Sequence, residues 1–164
     1  MAEQPPPAFE RKLVAREDFA RAVEALPRPR VFTNGVFDLL HRGHVSYLAR
    51  ARALGASLVI GVNADDSVRR LGKGDDRPIN VCADRMALLA ALESVDRVVA
   101  FEEDTPLALI LAMRPEVLVK GGDWAPERIV GAGQVRGWGG SVHAIAFEHE
   151  RSTTAMLARI RQAG

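Results

Sequence analysis

Five short, mainly apolar segments constrain the fold of this chain more than any other feature of its sequence. They occupy residues 31–33, 58–62, 97–101, 117–119 and 141–146. The first two show no polar alternation, which is typical of parallel strands that are buried on both faces of a sheet. Segments with helical spacing of apolar residues alternate with these strands, at residues 16–26, 44–54, 84–93, 106–113, 126–135 and 153–161.

This alternation predicts an α/β fold. The expected architecture is a single Rossmann-like, doubly wound domain with a five-stranded parallel sheet, right-handed crossovers and helices on both faces. A length of 164 residues fits one such domain with an adequate core. We predict a flexible tail over residues 1–11, which contains three consecutive prolines, and a folded domain over residues 12–164 that begins with a helix.

Charge and composition limit the partners of this protein. Its 22 Lys and Arg residues nearly balance 21 Asp and Glu residues, for a net charge of +1, so we expect neither nucleic acid nor a membrane as a partner. No apolar run approaches the roughly 20 residues that span a bilayer, and residues 1–9 do not resemble a signal peptide. Cys82 is the single cysteine and cannot form an intramolecular disulfide. These features predict a cytoplasmic location.

A turn with two histidines follows the first predicted strand. The segment that begins at Thr33 reads Thr-Asn-Gly-Val-Phe-Asp-Leu-Leu-His-Arg-Gly-His, with the histidines at His41 and His44. Because residues three positions apart share one face of a helix, both imidazoles can point in the same direction. The N-terminus of that helix offers free N–H groups and the positive end of a dipole, which bind phosphate. The turn therefore predicts nucleotide chemistry at a phosphorus centre.

Further candidate residues lie beyond the carboxyl ends of other predicted strands, where doubly wound sheets bind ligands. Asn63 follows the second strand, and Lys120, Gly122 and Asp123 follow the fourth. Asp123 is suited to sugar hydroxyls and Lys120 to phosphate, and the glycine lets a ligand approach the backbone. A tight turn without any ligand would explain the same glycines.

Hydroxyl residues open the last predicted helix. Ser152, Thr153 and Thr154 follow Arg151. One hydroxyl would suffice as a helix cap, whereas three can bind the outer phosphates of a nucleotide through their side chains and backbone N–H groups.

A polar segment over residues 63–83 is predicted to be a loop with a short helical turn at residues 66–71. Lys73 and, just beyond the segment, Arg85 are interpreted as cations that bind a triphosphate. Arg77 is equally well explained as a solvated loop residue.

Other conspicuous residues receive no function from the sequence. The helix dipole explains the carboxylates of residues 102–104. His143 and His149 are predicted to be surface or packing residues, and no ligand pair at metalloenzyme spacing points to a metal site. Trp124 and Trp138 are predicted to pack in the fold rather than to stack on a base. The G-x-G-x-x-G and G-x-x-x-x-G-K-[ST] motifs are absent, which argues against an NAD enzyme and a P-loop kinase.

The H-x-G-H and Ser-Thr-Thr motifs resemble those of the nucleotidylyltransferase superfamily, and residues 33–44 resemble its cytidylyltransferase-like branch. Within that branch the chain is most similar to the ADP-heptose synthase family, the D-glycero-β-D-manno-heptose 1-phosphate adenylyltransferases. Asn34 and residues 77–80, 101–106 and 119–123 carry this narrower likeness, which extends from Lys12 to the end of the sequence.

Two positions depart from the family pattern. Val36 stands where the family often has Cys, and Arg151 stands where a small or apolar residue commonly precedes Ser-Thr-Thr.

Members of the family often form the second half of a bifunctional protein whose first half is a sugar kinase. Because 164 residues leave no room for that half, we expect a stand-alone adenylyltransferase and a separate sugar kinase upstream.

The resemblance implies transfer of AMP from ATP to heptose 1-phosphate, giving ADP-heptose and pyrophosphate for lipopolysaccharide core synthesis. ATP is then a substrate, Mg²⁺ arrives bound to it, and the protein forms a homo-oligomer as family members commonly do. The resemblance implies catalytic roles for His41, His44, Lys73 and Arg85. It implies nucleotide contacts from Thr33, Asn34, Gly35, Phe37, Gly43, Ser152, Thr153 and Thr154. It implies contacts with the sugar phosphate from Asp38, Asn63, Lys120, Gly122 and Asp123.

Two alternatives remain open on the sequence. A cytidylyltransferase that acts on a polyol phosphate, such as glycerol 3-phosphate, shares both main motifs, and side chains alone do not decide between ATP and CTP. A nucleotide-binding regulatory module without turnover would keep the glycine turn and the Ser-Thr-Thr helix, but it would not need both histidines and Lys73.

Overall fold

The computed structural model describes residues 5–72, 74–148 and 152–162. Within these residues the strands form one six-stranded sheet in the order β1-β4-β3-β2-β5-β6, and every neighbouring pair is parallel. The strands are β1 (Leu13–Val14), β2 (Arg30–Gly35), β3 (Ser57–Asn63), β4 (Arg97–Phe101), β5 (Val117–Gly121) and β6 (Ser141–Ile145). The predicted α/β class and parallel sheet are confirmed.

The predicted number of five strands is wrong by one. The additional strand, β1, pairs Leu13 with Val98 and Val14 with Val99 along the outer edge of β4. Two residues are too few to show an alternation of apolar and polar positions, so the local sequence carries no signal for this strand. It forms because β4 has a free edge and because Val14 packs into the core.

Helices cover both faces of the sheet. In the described part of the chain they are α1 (Phe19–Glu24), α2 (Arg42–Arg52), α3 (Asp65–Arg70), α4 (Cys82–Ala90), α5 (Leu107–Met113), α6 (Ala132–Gly137) and α7 (Thr153–Gln162). One buried cluster joins one face of the sheet to α1, α5 and α6, and a second joins the other face to α2 and α4. Neighbouring residues of β2 serve the two clusters in turn: Phe32 belongs to the first and Val31 to the second. This explains why the strand sequences are apolar without alternation.

Two predicted helices are divided in the structure. The one expected at residues 16–26 becomes a 3₁₀ turn at Arg16–Asp18 followed by α1. The one expected at residues 126–135 becomes a 3₁₀ turn at Pro126–Arg128, a break, and then α6. The break contains Gly131, whose φ of +86° lies in the left-handed region that favours glycine.

The first described residues also contact the domain. Ala8–Lys12 form a 3₁₀ turn, Phe9 packs against the cluster under α2 and α4, and the Lys12 Nζ donates to the Leu92 carbonyl at 3.0 Å. No helix among the described residues is long and apolar enough to cross a membrane.

The order of the strands determines where a ligand can bind. The strands that follow β2 first lie on one side of it, as β3 and β4, and then on the other, as β5 and β6. The carboxyl ends of β2 and β5 therefore border the crevice at which open α/β sheets bind ligands. Asn34 and Gly35 end the first of these strands, and Lys120 and Gly121 end the second.

Candidate active site

A cavity of about 580 Å³ opens at the carboxyl ends of β2 and β5. Its walls come from the loop after β2, the start of α2, the end of β5 and the start of α7. The predicted site residues that line it are Asn34, Gly35, Phe37, Asp38, His41, His44, Lys120, Ser152, Thr153 and Thr154. The fold thus brings together segments that are more than 100 residues apart in the sequence.

The two histidines stack at the start of α2. His41 is the N-cap residue, and its carbonyl accepts the N–H groups of His44 at 2.9 Å and Val45 at 3.3 Å. The ring centroids of His41 and His44 lie 3.9 Å apart, with 23° between the ring planes. The predicted common direction of the two imidazoles is confirmed, and both line the cavity.

His44 is neutral at physiological pH. Burial, followed by the charge of the neighbouring His41, lowers its pKa from 6.5 to about 4. The ring packs edge-on against Phe37 and Phe147, at centroid distances of 5.3 and 5.9 Å. Its Nδ1 is buried and has no hydrogen-bond partner among the described residues. A neutral imidazole can donate a hydrogen bond to a substrate although it carries no charge.

Aromatic side chains, those of Phe37, Tyr47 and Phe147, pack around this histidine pair. Gly121 lets these rings approach the end of β5 closely, because a Cβ there would lie 2.8 Å from the Phe147 ring and 3.2 Å from the Tyr47 ring. Burial raises the pKa of the Tyr47 hydroxyl well above its usual range. That protonated hydroxyl hydrogen-bonds the Thr33 hydroxyl. Thr33 is fully buried and is not among the residues that line the cavity; in this structure it supports Tyr47, and its nucleotide contact stays a prediction.

The Ser-Thr-Thr segment places the N-terminus of α7 at the same cavity. The Ser152 hydroxyl accepts the Ala155 N–H at 3.1 Å, as a helix cap does. The Thr153 hydroxyl donates to the Leu39 carbonyl at 3.4 Å, which joins α7 to the loop before the histidines. The N–H groups and dipole of this helix end make it a site for phosphate.

A second cavity of about 330 Å³ adjoins the first. The two share Asn34, Lys120 and Trp124 in their walls. Lys120 Nζ donates to the Asn34 carbonyl at 3.2 Å, and it lies 6.0 Å from the centre of the Trp124 ring. Asn63 lines only the second cavity, where its amide donates to the Ser67 hydroxyl at 2.9 Å.

The predictions for the two tryptophans have opposite outcomes. Trp124 is 49% exposed and stands between the two cavities, so its predicted packing role is wrong. Trp138 packs against the core, as predicted. Its indole N–H donates to the Pro115 carbonyl at 3.0 Å. His143 lies on the edge strand β6 beside the Ser141 hydroxyl, in agreement with a surface role.

Arg85 does not reach either cavity. Its side chain is fully buried, and its guanidinium donates to the carbonyls of Asn80 and Val36 at 2.9 and 2.7 Å and to the Asp65 carboxylate at 2.7 Å. These bonds involve all three nitrogens, and in this structure they hold the loop after β2. The catalytic role of Arg85 stays a prediction.

The Asp38 carboxylate is also bound within the protein. Its carboxylate accepts the N–H groups of Ile79 and Asn80 at 2.9 Å and the Nε of Arg77 at 2.5 Å. Burial acts to raise the pKa of Asp38, but these hydrogen bonds and the Arg77 charge outweigh it and hold the pKa below its usual value. Both oxygens accept hydrogen bonds within the protein, although Asp38 lines the cavity, and its contact with the sugar phosphate stays a prediction.

The other predicted residues are placed as follows. Gly43 is buried in α2, and Gly122 and Asp123 follow β5 without lining either cavity. Lys73, His149 and Arg151 lie outside the described residues.

Sequence reasoning missed part of the cavity wall. The missed lining residues are Val36, Tyr47, Gly121, Trp124 and Phe147, and Arg77 was left open. Tyr47 had a local signal, because it lies three residues after His44 and so shares its face of α2. Phe147 had none, because only the return of the chain from β6 to α7 brings it over the histidines.

A parallel sheet that presents a histidine pair and a hydroxyl-rich helix N-terminus to one cavity is the arrangement of a nucleotidyltransferase. Residues 32–154 match the model of the cytidylyltransferase-like family, and the chain belongs to that family. The resemblance predicted from the two sequence motifs is therefore confirmed.

Curated relatives refine this assignment. The chain is 58% identical over 156 residues to the D-β-D-heptose 1-phosphate adenylyltransferase of Bordetella bronchiseptica, with 94% of this chain and 96% of the relative covered. It is 51% identical to the bifunctional protein HldE of Enterobacter sp., with 91% of this chain but 32% of that protein covered. The chain thus spans about a third of that bifunctional relative.

Solved structures show the same fold. The lipopolysaccharide core biosynthesis protein of Thermoplasma volcanium superimposes with a TM-score of 0.59 at 30% identity, over 74% of this chain and 98% of that one. The pantothenate synthetase of Thermus thermophilus gives a TM-score of 0.57 at 20% identity, over 82% of this chain and 61% of that one. The second likeness concerns the fold alone.

Proposed function

We propose that this protein transfers AMP from ATP to D-β-D-heptose 1-phosphate, with ADP-heptose and pyrophosphate as products. The observation that carries the proposal is the similarity to the Bordetella heptose 1-phosphate adenylyltransferase over nearly the full length of both chains. The HldE relatives and the lipopolysaccharide core biosynthesis protein agree with a place for ADP-heptose in core synthesis. These relatives favour the heptose reaction over the polyol cytidylyltransferase alternative.

The reaction requires little acid–base chemistry from the protein. An oxygen of the sugar phosphate, already anionic, attacks the α-phosphorus of ATP in line, and the bond from that phosphorus to the β-phosphate oxygen breaks. Pyrophosphate leaves with the electron pair of the broken bond. Catalysis then consists mainly of positioning the two anions and stabilising the charge that develops between them.

The cavity residues support a division of these tasks. His44 is our candidate for the hydrogen bond to the α-phosphoryl oxygens, with His41 stacked beside it. The hydroxyl and N–H groups of Ser152, Thr153 and Thr154 are suited to the β- and γ-phosphates. A neutral His44 fits this role, because its N–H can follow the growing negative charge without first binding the ground state strongly.

The second cavity is suited to the sugar phosphate. Lys120 lies between the two cavities and supplies a cation beside the Asn34 amide, and Asn63 adds a polar group further inside. Contacts of Lys73 with the pyrophosphate, and of Gly122 and Asp123 with the sugar, remain part of the proposal.

Magnesium enters this proposal as part of the substrate, MgATP. The carboxylates in the described walls of the two cavities are Asp38 and Asp104. The first is saturated by hydrogen bonds, and the second pairs with the Arg70 guanidinium at 2.8 Å. Mg²⁺ is often held largely by phosphates and water, and this lining suits an ion that the substrate brings. The protein is further proposed to act in the cytoplasm, as a homo-oligomer, after a separate sugar kinase.

Pyrophosphate release tests the proposal. The purified chain is incubated with Mg²⁺ and either ATP or CTP, each with heptose 1-phosphate or glycerol 3-phosphate. We expect release with ATP and heptose 1-phosphate alone. Release with CTP and glycerol 3-phosphate would support the polyol alternative instead, and ATP binding without any release would support a regulatory module.

A further inference from the structure

Arg77 occupies an unusual position for an arginine in a loop. Its side chain is 8% exposed and lines the 580 Å³ cavity together with the histidine pair and the Ser-Thr-Thr helix. Burying a guanidinium is costly unless it gains partners. The partners of Arg77 therefore indicate what its burial is for.

The Nε of Arg77 is bound by the Asp38 carboxylate. It donates to Asp38, whose side chain is fully buried. The same carboxylate accepts the backbone N–H groups of Ile79 and Asn80, and the Asn80 amide donates to the Asp38 carbonyl at 2.9 Å. Asp38 thereby anchors the backbone on which Arg77 stands as well as its side chain. The guanidinium is held in one orientation before any ligand arrives.

Among the described residues, the remaining donors of Arg77 have no hydrogen-bond partner. Neither Nη1 nor Nη2 has a hydrogen bond to a described residue, and neither is among the enclosed polar atoms without partners. Arg85, eight residues later, offers the contrast, since its three nitrogens are bound within the protein and it does not line the cavity. A guanidinium that is anchored at Nε presents four N–H groups at its other end. Arg77 lines the cavity, and Asp38 binds its Nε, so Nη1 and Nη2 are the donors left for a ligand.

We propose that Arg77 binds phosphoryl oxygens of a substrate through Nη1 and Nη2, and that Asp38 is its positioning residue. The proposal rests on the proposed function, because it takes phosphate esters as the ligands of this cavity. A planar fork of N–H donors matches two oxygens of one phosphate or of neighbouring phosphates, which a lysine ammonium does not. The phosphate belongs either to ATP or to the sugar phosphate, and the experiment separates the two.

The test compares Arg77→Ala and Arg77→Lys with the wild type. Arg69→Ala is the matched control, because Arg69 is 60% exposed and, within the part of the chain that the structure describes, pairs with Asp66 on its own helix. Calorimetric titrations with ATP and with heptose 1-phosphate measure binding, and pyrophosphate release measures kcat and KM. We expect the alanine variant to lose about 10- to 100-fold in affinity for one of the two ligands, as for a hydrogen bond to a charged group. The lysine variant recovers only part of this loss, and the control stays within twofold of the wild type.

The ligand affected identifies the source of the phosphate. A loss confined to ATP assigns Arg77 to the nucleotide, and a loss confined to heptose 1-phosphate assigns it to the acceptor. Binding of both ligands within twofold of the wild type in Arg77→Ala, with an unchanged thermal unfolding midpoint, would overturn the proposal. The titrations do not need turnover, so an inactive wild-type protein would count against the proposed function without deciding the role of Arg77.

Two readouts separate ligand binding from mere support of the loop. Added guanidinium ion at millimolar concentration should restore part of the activity of Arg77→Ala and none of that of Arg77→Lys, whose side chain still fills the space. Asp38→Asn keeps an acceptor for Ile79 and Asn80 but removes the charge that holds Arg77. We expect it to raise the KM of the same ligand that Arg77→Ala affects. A change in thermal stability with no change in either KM would contradict the positioning role.

Discussion

The imidazole of His44 is buried beside the imidazole of His41, and both its burial and this neighbour lower its pKa. With a pKa of about 4 it carries no charge at pH 7, so its contribution to catalysis is a directed hydrogen bond. Its orientation comes from the stacked His41 ring and from the aromatic side chains of Phe37 and Phe147.

Replacing His44 by alanine should lower kcat for pyrophosphate release by more than ~100-fold, as for the loss of one donor to a developing oxyanion. His143→Ala is the control, because His143 lies on the edge strand β6 and contacts the Ser141 hydroxyl. We expect this control to keep normal turnover. Near-normal kcat in His44→Ala would exclude the assigned role.

The same histidine should make stability depend on pH. Its pKa is about 4 in the folded protein against 6.5 in the unfolded chain, so between these values the unfolded state binds the additional proton. The free energy of unfolding should therefore fall as the pH drops from 6.5 towards 4, by at most about 3 kcal/mol. Urea unfolding at pH 7.5, 6 and 4.5 measures this loss.

The variant His44→Gln should show a flatter dependence over that interval, because glutamine does not titrate. Asp38, whose pKa is held below its usual value, loses its contribution only at lower pH. Equal slopes for the variant and the wild type would show that burial does not shift His44 as described.

At the scale of the element, α7 is the least buried part of the site. None of its residues is fully buried, and the Ser152 cap and the Thr153 contact with Leu39 join it to the cavity. Packing thus stabilises this helix little, and its N-terminus depends on capping.

Ser152→Ala and Ser152→Asp separate capping from phosphate binding. Alanine removes the acceptor for the Ala155 N–H and should cost about 1 kcal/mol of helix stability. Aspartate restores a cap but brings a negative charge to the proposed phosphate site. We therefore expect KM for ATP to rise in both variants, and more in Ser152→Asp, in steady-state assays at saturating heptose 1-phosphate. A normal KM in the aspartate variant would move the β- and γ-phosphates away from this helix.

In the molecule as a whole, Arg30 joins the helices α1 and α5 to the sheet at the amino-terminal end of β2, opposite the site. Its buried guanidinium donates to the Val23 carbonyl at the end of α1, at 3.0 Å, and to the Met113 carbonyl at the end of α5, at 2.7 Å. Its backbone N–H donates to the Glu116 carboxylate at 2.7 Å. One side chain thus adds a donor at two helix ends, to the Val23 carbonyl, which also accepts the Leu26 N–H at 3.2 Å, and to the Met113 carbonyl.

Arg30→Met should lower the free energy of unfolding by about 2–4 kcal/mol, since the Met113 carbonyl loses the Arg30 donor and the Val23 carbonyl loses one of its donors. Catalytic constants at 25 °C should change little, because Arg30 starts β2 while the cavity lies at its other end. Arg28→Met is the control; Arg28 is 58% exposed and pairs with Glu116, so its loss should cost about 1 kcal/mol or less. Equal losses in the two variants, measured by urea unfolding, would contradict the distinction.

Local patterns along the chain were enough to predict the class of fold and the centre of the site. Apolar strands and amphipathic helices are recorded in local spacing, so the parallel α/β sheet was predictable. The positions of His41 and His44 on one turn of α2, and of three hydroxyls before α7, are also local. Their position at the carboxyl ends of strands then followed from the rules of the fold.

Which polar residues line the cavity depends on how the chain folds and could not be predicted from local patterns. Arg77 and Arg85 look alike in the sequence. In the structure Arg77 lines the cavity, whereas Arg85 donates hydrogen bonds within the protein. Thr33 does not line the cavity and Trp124 borders it, and the edge strand β1 exists only through its pairing with β4. The reason is that burial and hydrogen-bond satisfaction depend on contacts between distant segments, which spacing along the chain does not record.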